Sequence, residues 1–139
     1  MSENMVVVKK VIKASREEVF EAFTNPKIIV KWFYGEEGWT VDVSNTLEIG
    51  GKYTLTTHKT NGKDCVHVGE YRIIAPPEKL VFSWNTDSVQ NTVVTIYFRQ
   101  VEGGTEITLE HEFLLTHEAR EDHRRGWMIC LGNLERLYT

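Results

Sequence analysis

Apolar and polar residues alternate along the middle of the chain, over six successive segments between Trp39 and Phe113. Such alternation is typical of strands that have one buried side and one solvent-facing side. The predicted inward-facing sets are Val41/Val43, Tyr53/Leu55, His67/Gly69/Tyr71/Ile73, Leu80/Phe82/Trp84, Val94/Ile96/Phe98 and Ile107/Leu109/His111/Phe113. Pairs of turn-forming residues separate the segments, and connections this short join antiparallel strands. The pattern therefore predicts an antiparallel meander with one dry face.

Before this meander, the sequence predicts one strand and two short helices. The β-branched run over residues 5–13 predicts the strand. Ser15 and Glu18 have the spacing of a capping box, which starts the first helix. Asn25 and Pro26 end that helix and open a second one. The apolar side chains of the second helix are Ile28, Ile29, Trp32 and Phe33.

After the meander, residues Thr116 to Tyr138 have the pattern of one long amphipathic helix, with Thr116 as its N-cap. At 1.5 Å per residue this helix would be about 33 Å long. Its apolar or small residues are Ala119, Gly126, Trp127, Cys130, Leu131, Leu134, Leu137 and Tyr138. Such a helix must lie on a broad apolar surface, and the dry face of the meander supplies one. We therefore predict an α+β helix-grip fold, as a single domain over residues 1–139. It is a curved antiparallel sheet of six to seven strands around a long C-terminal helix, with the two short helices closing one end.

Composition and charge narrow the range of functions. The net charge is −4 and no run of Lys or Arg occurs, so we expect no nucleic-acid partner. No segment approaches the ~18 consecutive apolar residues of a membrane span, and the N-terminus lacks the pattern of a secretory signal. Cys65 and Cys130 are far apart, as expected of free thiols in a reducing compartment, so we predict a cytoplasmic protein. Fifteen aromatic residues, four of them Trp, are more than a minimal core requires and favour a pocket.

Several motifs resemble those of a known family, in the family's order and over almost the whole chain. They are Ala22-Phe23, Pro26, Trp32-Phe33, Glu48-Ile49-Gly50-Gly51-Lys52-Tyr53, Gly69-Glu70-Tyr71, Ile74, the run from Pro76 to Trp84, the run from Gly104 to Leu109, His123, Gly126-Trp127 and Leu131. The chain thus resembles the activator-of-heat-shock-protein-90-ATPase-like family, within the START-like, birch-pollen-allergen-like superfamily. The resemblance implies a helix-grip fold and a cavity for hydrophobic ligands.

Two departures limit what the resemblance implies. After the short helix, the family often has a second Trp and then Gly or Ser followed by Pro. Here the run is Trp32-Phe33-Tyr34-Gly35, so we expect the cavity mouth to differ in shape. The eukaryotic co-chaperone for which the family is named has an additional chaperone-binding domain, for which 139 residues leave no room. The function in the family's name is therefore not carried over to this chain.

Three polar residues, His67, Tyr71 and His111, are predicted on the dry face. Each needs a partner there, since leaving a buried polar group unpaired costs about 1–3 kcal/mol. They would hydrogen-bond the polar end of a ligand, act as general acid and base as in the superfamily's polyketide cyclases, or satisfy one another and a buried water. The alternation does not choose among these roles.

The remaining motifs do not predict a metal or catalytic centre. His111 and Glu112 begin like a zinc-binding helix motif, but Leu115 stands where the second His is required. His111, His117 and His123 are spaced six apart, which neither helix nor strand geometry gathers on one metal ion. Neither cysteine lies beside a histidine in the sequence, and no nucleophile elbow occurs. We therefore expect no metal and no cofactor.

These patterns favour a non-enzymatic module that binds a small hydrophobic molecule or lipid, with no catalytic residue assigned. The predicted cavity residues are Trp32, Phe33, Tyr53, His67, Tyr71, Phe82, Trp84, Phe98, His111, Trp127 and Leu131. Two alternatives stand beside it. One is a cyclase-like or hydrolytic enzyme that uses the cavity His and Tyr residues, and the other is a chaperone-interaction or stress-response module. Monomer and homodimer are both open.

Overall fold

The structure, a computed structural model, describes residues 4–139. In chain order its elements are β1 (Val6–Ile12), α1 (Arg16–Thr24), α2 (Pro26–Ile29), β2 (Thr40–Asn45), β3 (Lys52–His58), β4 (Asp64–Ala75), β5 (Lys79–Trp84), β6 (Thr92–Val101), β7 (Gly104–Glu112) and α3 (His117–Leu137). The strands form one antiparallel sheet in the order β1-β7-β6-β5-β4-β3-β2. The predicted first strand, two short helices, six-stranded meander and long helix are all present.

The sheet curls into a half-barrel, and α3 packs against its inner face. The first strand pairs with the last, so β1 and β7 lie together near one edge, while β2 forms the other edge. Trp127, Leu131 and Leu134 of α3 are buried. The ring of Trp127 lies 5.1 Å from that of Trp84 on β5, which places the helix across the middle of the sheet. The predicted α+β helix-grip fold is confirmed.

The helix starts are set by side chains that accept hydrogen bonds from free backbone N–H groups. Ser15 Oγ accepts from the N–H of Glu18 at 3.1 Å, and the Glu18 carboxylate accepts from the N–H of Ser15 at 3.2 Å. This reciprocal pair is the predicted capping box of α1. Asn25 caps α2, and Thr116 Oγ1 accepts from the N–H of Ala119 at 3.0 Å to cap α3. Within residues 4–139, none of the helices is both long and apolar enough to cross a bilayer.

The predicted alternation fails in the second half of β4. Ile73, which was predicted to face inward, is 41% exposed. The pairing with β5 shifts between Tyr71, opposite Phe82, and Ile73, opposite Val81. Such a β-bulge adds one residue to the strand and reverses the side to which later side chains point. Ile74 therefore packs against the core instead, and the prediction for Ile73 is wrong.

Two segment ends also differ from the prediction. The strand β7 ends one residue before Phe113, whose φ of 69° lies in the left-handed region. Phe113 is consequently 52% exposed, and Leu114 is buried in its place. The helix α2 is one turn long, so Trp32 and Phe33 follow it as buried turn residues rather than as part of the helix.

Candidate ligand-binding cavity

A partition of three aromatic rings divides the space between α3 and the sheet into two cavities. Phe33 follows α2, Trp84 ends β5 and Trp127 projects from α3. Their ring centroids are 5.1 Å apart for Trp84 and Trp127, 6.0 Å for Phe33 and Trp84, and 6.1 Å for Phe33 and Trp127. All three residues line both cavities. We refer to these cavities as the inner chamber and the outer chamber.

The inner chamber is apolar and almost filled by side chains. Its volume is about 40 Å³, the space of a few water molecules at most. It is lined by Phe23, Ile29, Trp32, Phe33, Val43, Tyr53, Leu55, Tyr71, Phe82, Trp84 and Trp127. Edge-to-face ring contacts fix its walls, for example 4.9 Å between the centroids of Phe23 and Trp32. This part of the interior is a packed core with little space for a ligand.

The outer chamber is larger, with a volume of about 210 Å³. It is lined by Phe33, Tyr34, Gly35, Trp39, Thr57, Lys59, Cys65, His67, Trp84, Asp122, His123, Gly126, Trp127 and Cys130. The side chain of Asp122 is exposed and those of Lys59 and Trp39 are half-buried, so the chamber opens to solvent between the start of α3 and the end of β3. Lys59 Nζ lies 5.1 Å from the Trp39 ring centre, a cation–π contact at this rim.

Gly126 leaves part of the outer chamber empty. A Cβ atom added at this position would meet no heavy atom within 4 Å. The neighbouring chamber residues on α3 are Asp122, His123 and Cys130, which lie three or four positions away and therefore share the helical face of Gly126. A glycine inside a helix costs about 1 kcal/mol relative to alanine. Here the missing side chain leaves open space rather than allowing close packing.

His111 is fully buried and all its hydrogen-bonding capacity is used. The Trp127 Nε1–H donates to His111 Nδ1 at 3.1 Å. His111 Nε2 therefore carries the proton and donates to Thr92 Oγ1 at 2.9 Å, and Thr92 in turn donates to the carbonyl of Trp84 at 2.6 Å. Burial, followed by the neighbouring His123 and His67, lowers the pKa of His111 to about 3. The neutral imidazole ties α3 to β7, β6 and β5 and has no free nitrogen for a ligand.

His67 lies in the outer chamber and is incompletely satisfied. Its Nε2 is 3.7 Å from Cys65 Sγ, while its buried Nδ1 has no partner in the described part of the chain. Burial lowers the pKa of His67 to about 4, and the backbone of Leu55 opposes this shift in part. Burial also raises the pKa of the Cys65 thiol. The pair is therefore a neutral thiol and a neutral imidazole, not an activated thiolate.

The two buried tyrosines are held by hydrogen bonds within the walls of the inner chamber. Tyr53 O–H donates to the carbonyl of Ser83 at 2.6 Å, and Asn45 Nδ2 donates to Tyr71 Oη at 3.0 Å. Burial raises the pKa of both phenols. Tyr53 also lies against Gly69 on the neighbouring strand, where a Cβ would come within 1.9 Å of the Ser83 carbonyl. These tyrosines fix the sheet and are not placed to exchange protons at neutral pH.

The structure brings most of the predicted cavity residues together but divides them between the two chambers. The inner chamber takes Trp32, Tyr53, Tyr71 and Phe82, the outer chamber takes His67, and the shared partition takes Phe33, Trp84 and Trp127. Three predicted residues lie outside both linings. Phe98 packs on Phe20 and Phe23 beneath α1, His111 lies behind Trp127, and Leu131 is buried towards β1.

Sequence reasoning missed most of the outer chamber. The residues that it did not assign to the cavity are Tyr34, Gly35, Trp39, Thr57, Lys59, Cys65, Asp122, His123, Gly126 and Cys130. The spacing of His111, His117 and His123 argued only against a shared metal ion, and in the structure the rings of His111 and His123 are in contact, with centroids 4.9 Å apart. Cys65 and His67, two residues apart on β4, point to the same face and meet, which reasoning from adjacency overlooked. Among residues 4–139, no group of three or more His, Cys, Asp or Glu side chains is arranged to hold a metal ion.

Comparisons with known proteins agree with this fold. The profile of the family described as Activator of Hsp90 ATPase homolog 1-like protein matches residues 13–139. A protein from Chromobacterium violaceum has a similar structure, with a TM-score of 0.89 and 22% identity over 99% of this chain and 98% of that chain. A protein from Rhodobacter sphaeroides has a TM-score of 0.87 and 22% identity, over 98% of this chain and 92% of that chain. An AHSA1-like protein from Aeromonas hydrophila has a TM-score of 0.82 and 21% identity, over 95% of this chain and 90% of that chain. No curated protein matches the chain.

Proposed function

The chain belongs to the Activator of Hsp90 ATPase homolog 1-like family, and we propose that it is a non-enzymatic module that binds a small hydrophobic molecule between its helix and its sheet. The proposed site is the outer chamber, and residues 1–139 act as a single START-like domain. The observation that carries this proposal is an open, aromatic-walled space of about 210 Å³ beside an inner chamber that is almost filled.

The size of the outer chamber limits the ligand. Pockets for drug-sized ligands typically measure ~300–1,000 Å³. At about 210 Å³ the outer chamber suits a molecule of one or two fused rings, or a short branched chain. A longer lipid would have to extend past the rim or displace the aromatic partition into the inner chamber, which offers only about 40 Å³.

The position of Gly126 supports a binding role. The helix loses stability at this glycine, and in exchange the chamber keeps open space beside Trp127 and Cys130. A packed core would gain from a side chain there, since filling the space buries apolar surface. An unfilled space with aromatic walls and an opening to solvent is the usual form of a ligand site.

The contacts within the cavity do not favour catalysis. A nucleophilic Cys needs a lowered pKa, whereas burial raises the pKa of Cys65. A general base works best with a pKa near the operating pH, whereas burial moves the pKa of His67 to about 4 and that of His111 to about 3. Each hydrogen bond of His111 goes to the protein. A polar site built to be neutral suits binding better than proton transfer.

The test blocks the chamber from the helix side. In Gly126→Leu the new side chain extends into the outer chamber. Gly132→Leu is a matched control on the same helix and outside both linings, where a Cβ would meet only the end of the Arg136 side chain, at 3.9 Å. The probe is 2-acetylnaphthalene, and its binding is followed by quenching of tryptophan fluorescence, because Trp84 and Trp127 form the wall. Thermal unfolding provides a second readout: at ten times Kd a ligand stabilises the folded state by about 1.4 kcal/mol.

We expect saturable binding to the wild-type protein and to Gly132→Leu, and none to Gly126→Leu. Gly126→Ala adds one methyl group and should weaken binding without abolishing it, so a folding failure of the leucine variant would not leave the proposal untested. If the probe binds Gly126→Leu as tightly as the wild type, the binding site is not the outer chamber. Failure of the wild-type protein to bind this probe or any other neutral aromatic or branched aliphatic molecule of similar size would refute the proposal.

A further inference from the structure

Three side chains of the outer chamber have hydrogen-bonding atoms that the protein does not use. They are the hydroxyl of Thr57, Nδ1 of His67 and Nε1 of Trp84, from the neighbouring strands β3, β4 and β5. Within residues 4–139, His67 Nδ1 and Trp84 Nε1 are buried and have no hydrogen-bond partner, whereas the Thr57 hydroxyl is not a buried unpaired atom and is open to the chamber. Trp84 is 3% exposed, so bulk water does not satisfy its indole N–H freely. These polar groups lack partners because aromatic rings and open space surround them, where hydrogen-bonding groups would otherwise lie.

One of the unused groups can only donate a hydrogen bond, and the other two donate or accept. The indole N–H of Trp84 can only donate, and the Thr57 hydroxyl donates or accepts. His67 Nδ1 donates or accepts according to the tautomer, which the weak contact of Nε2 with Cys65 Sγ leaves free to adjust. The site therefore lacks a hydrogen-bond acceptor within reach of Trp84 and Thr57.

The charges around the chamber argue against a charged group on the ligand. Burial keeps the pKa of His67 low and that of Cys65 high, so both side chains are neutral at pH 7. Lys59 and Asp122 have opposite charges and both belong to the rim, where Lys59 is already stacked on Trp39. A charge carried to the level of Trp84 would leave water without a counter-ion, which is strongly unfavourable.

Resting on the binding function proposed above, we propose that the ligand of the outer chamber is an uncharged ring-sized molecule with a hydrogen-bond acceptor, such as a ketone, ester or amide carbonyl, that accepts from Thr57 and Trp84. The rings of the ligand pack on Phe33 and Trp127, and its carbonyl points to the sheet. Trp84 Nε1 is buried, so its contact with the acceptor requires the indole to shift within the partition. Thr57, which needs no such movement, is the primary contact.

The test compares three probe molecules of nearly the same shape. They are 2-acetylnaphthalene with a neutral acceptor, 2-ethylnaphthalene without one, and 2-naphthoate with a charged one. Calorimetric titration of the full chain at pH 7.5 should give a Kd about tenfold lower for the ketone than for the hydrocarbon, the effect of one or two net hydrogen bonds. The carboxylate should bind at least tenfold more weakly than the ketone.

Matched variants identify the donor. Thr57→Val keeps the shape of the side chain and removes the hydroxyl, so it should bring the Kd of the ketone close to that of the hydrocarbon and leave the hydrocarbon unchanged. Thr57→Ser keeps the hydroxyl and should preserve the preference for the ketone. Trp84 is tested without mutation, from its indole N–H signal in the NMR spectrum. That signal should move downfield with the ketone but not with the hydrocarbon, while the indole of Trp32, already bound to the Ala22 carbonyl at 3.0 Å, should not move downfield with either.

The outcomes separate this inference from the function on which it rests. Equal binding of ketone and hydrocarbon, or tighter binding of the carboxylate, overturns the ligand class while leaving a binding module in place. A preference for the ketone that survives in Thr57→Val, with an unmoved Trp84 indole signal, overturns the assignment of the two donors. Absence of binding for all three molecules counts against the binding function itself and removes the inference with it.

Discussion

Acidification from pH 7.5 to pH 4.5 should destabilise the folded protein, because two histidines are buried without charge. Burial, together with the charges of nearby histidines, lowers the pKa of His111 from 6.5 to about 3, and burial lowers that of His67 from 6.5 to about 4. The unfolded chain takes up a proton at each site as the pH falls through 6.5, and the folded protein does not. The contribution of these histidines to the free energy of unfolding is therefore fully present above pH 6.5. It falls progressively below this pH, until the pKa values of the two histidines in the folded protein are reached.

The expected loss follows from the two pKa shifts. Each histidine lowers the free energy of unfolding by about 1.4 kcal/mol for every pH unit between its pKa in the unfolded chain and its pKa in the folded protein. At pH 4.5, two units below 6.5, the two histidines together should cost roughly 4–5 kcal/mol, a large part of a typical stability of 5–15 kcal/mol. His58 acts in the opposite direction, since the hydrogen bonds that it donates to the carboxylates of Asp42 and then Asp64 raise the pKa of this exposed side chain.

Urea unfolding at pH 7.5 and pH 4.5 measures this loss, and His111→Gln assigns it. The variant should be about 1–3 kcal/mol less stable at pH 7.5, because Trp127 and Thr92 lose well-placed partners. Its further loss on acidification should be about half that of the wild-type protein, since only His67 still titrates in the core. The exposed His117 provides a control, and His117→Gln should behave as the wild type. An acid-induced loss as large in His111→Gln as in the wild type would show that the burial of uncharged His111 is not a cause of the loss.

Three further changes test the packing of α3. Gly126→Ala and the control Gly132→Ala should each raise the free energy of unfolding by about 0.5–1 kcal/mol, because both positions have room for a methyl group; destabilisation by the first would mean that Gly126 is closely packed. Trp127→Ala should lower the free energy of unfolding by about 3–5 kcal/mol in a urea melt. Trp127→Phe, which mainly loses the hydrogen bond to His111, should lower it clearly less. A loss below ~1 kcal/mol for the alanine variant would mean that Trp127 is not buried between helix and sheet. Asn133→Ala should cost about 1–3 kcal/mol, because Asn133 Nδ2 donates to two backbone carbonyls in the turn after α2, and an unchanged melt would contradict that role.

The fold could be predicted from the sequence because each element has a local signal. Alternation along six segments follows from a sheet with one dry face, and capping side chains at Ser15 and Thr116 mark where helices begin. The errors occur where one residue changes the side to which the chain points. A bulge after Tyr71 turns Ile73 outward, and a positive φ ends the alternation at Phe113. Neither event changes the local composition, so the sequence pattern does not reveal it.

The residues of the outer chamber were harder to predict, although some signals were available. Thr57 continues the inward set of Tyr53 and Leu55 by period two, and its partner in the register is Cys65. On α3, His123 lies four positions before Trp127 and therefore on the same face. What the sequence did not contain is the division of the cavity, since the partition depends on how residues from a turn, a strand and a helix meet.

Mapping of backbone amide shifts during a titration with 2-acetylnaphthalene is the most direct measurement of where a ligand binds. We expect saturable changes centred on Thr57, Trp84 and Gly126, which lie on three separate elements and meet only in the outer chamber. The same titration of Gly126→Leu should leave these signals unmoved. Changes centred on the solvent-facing side of the sheet, or no saturable changes in the wild-type protein, would contradict the central claim that the space between helix and sheet is a binding site.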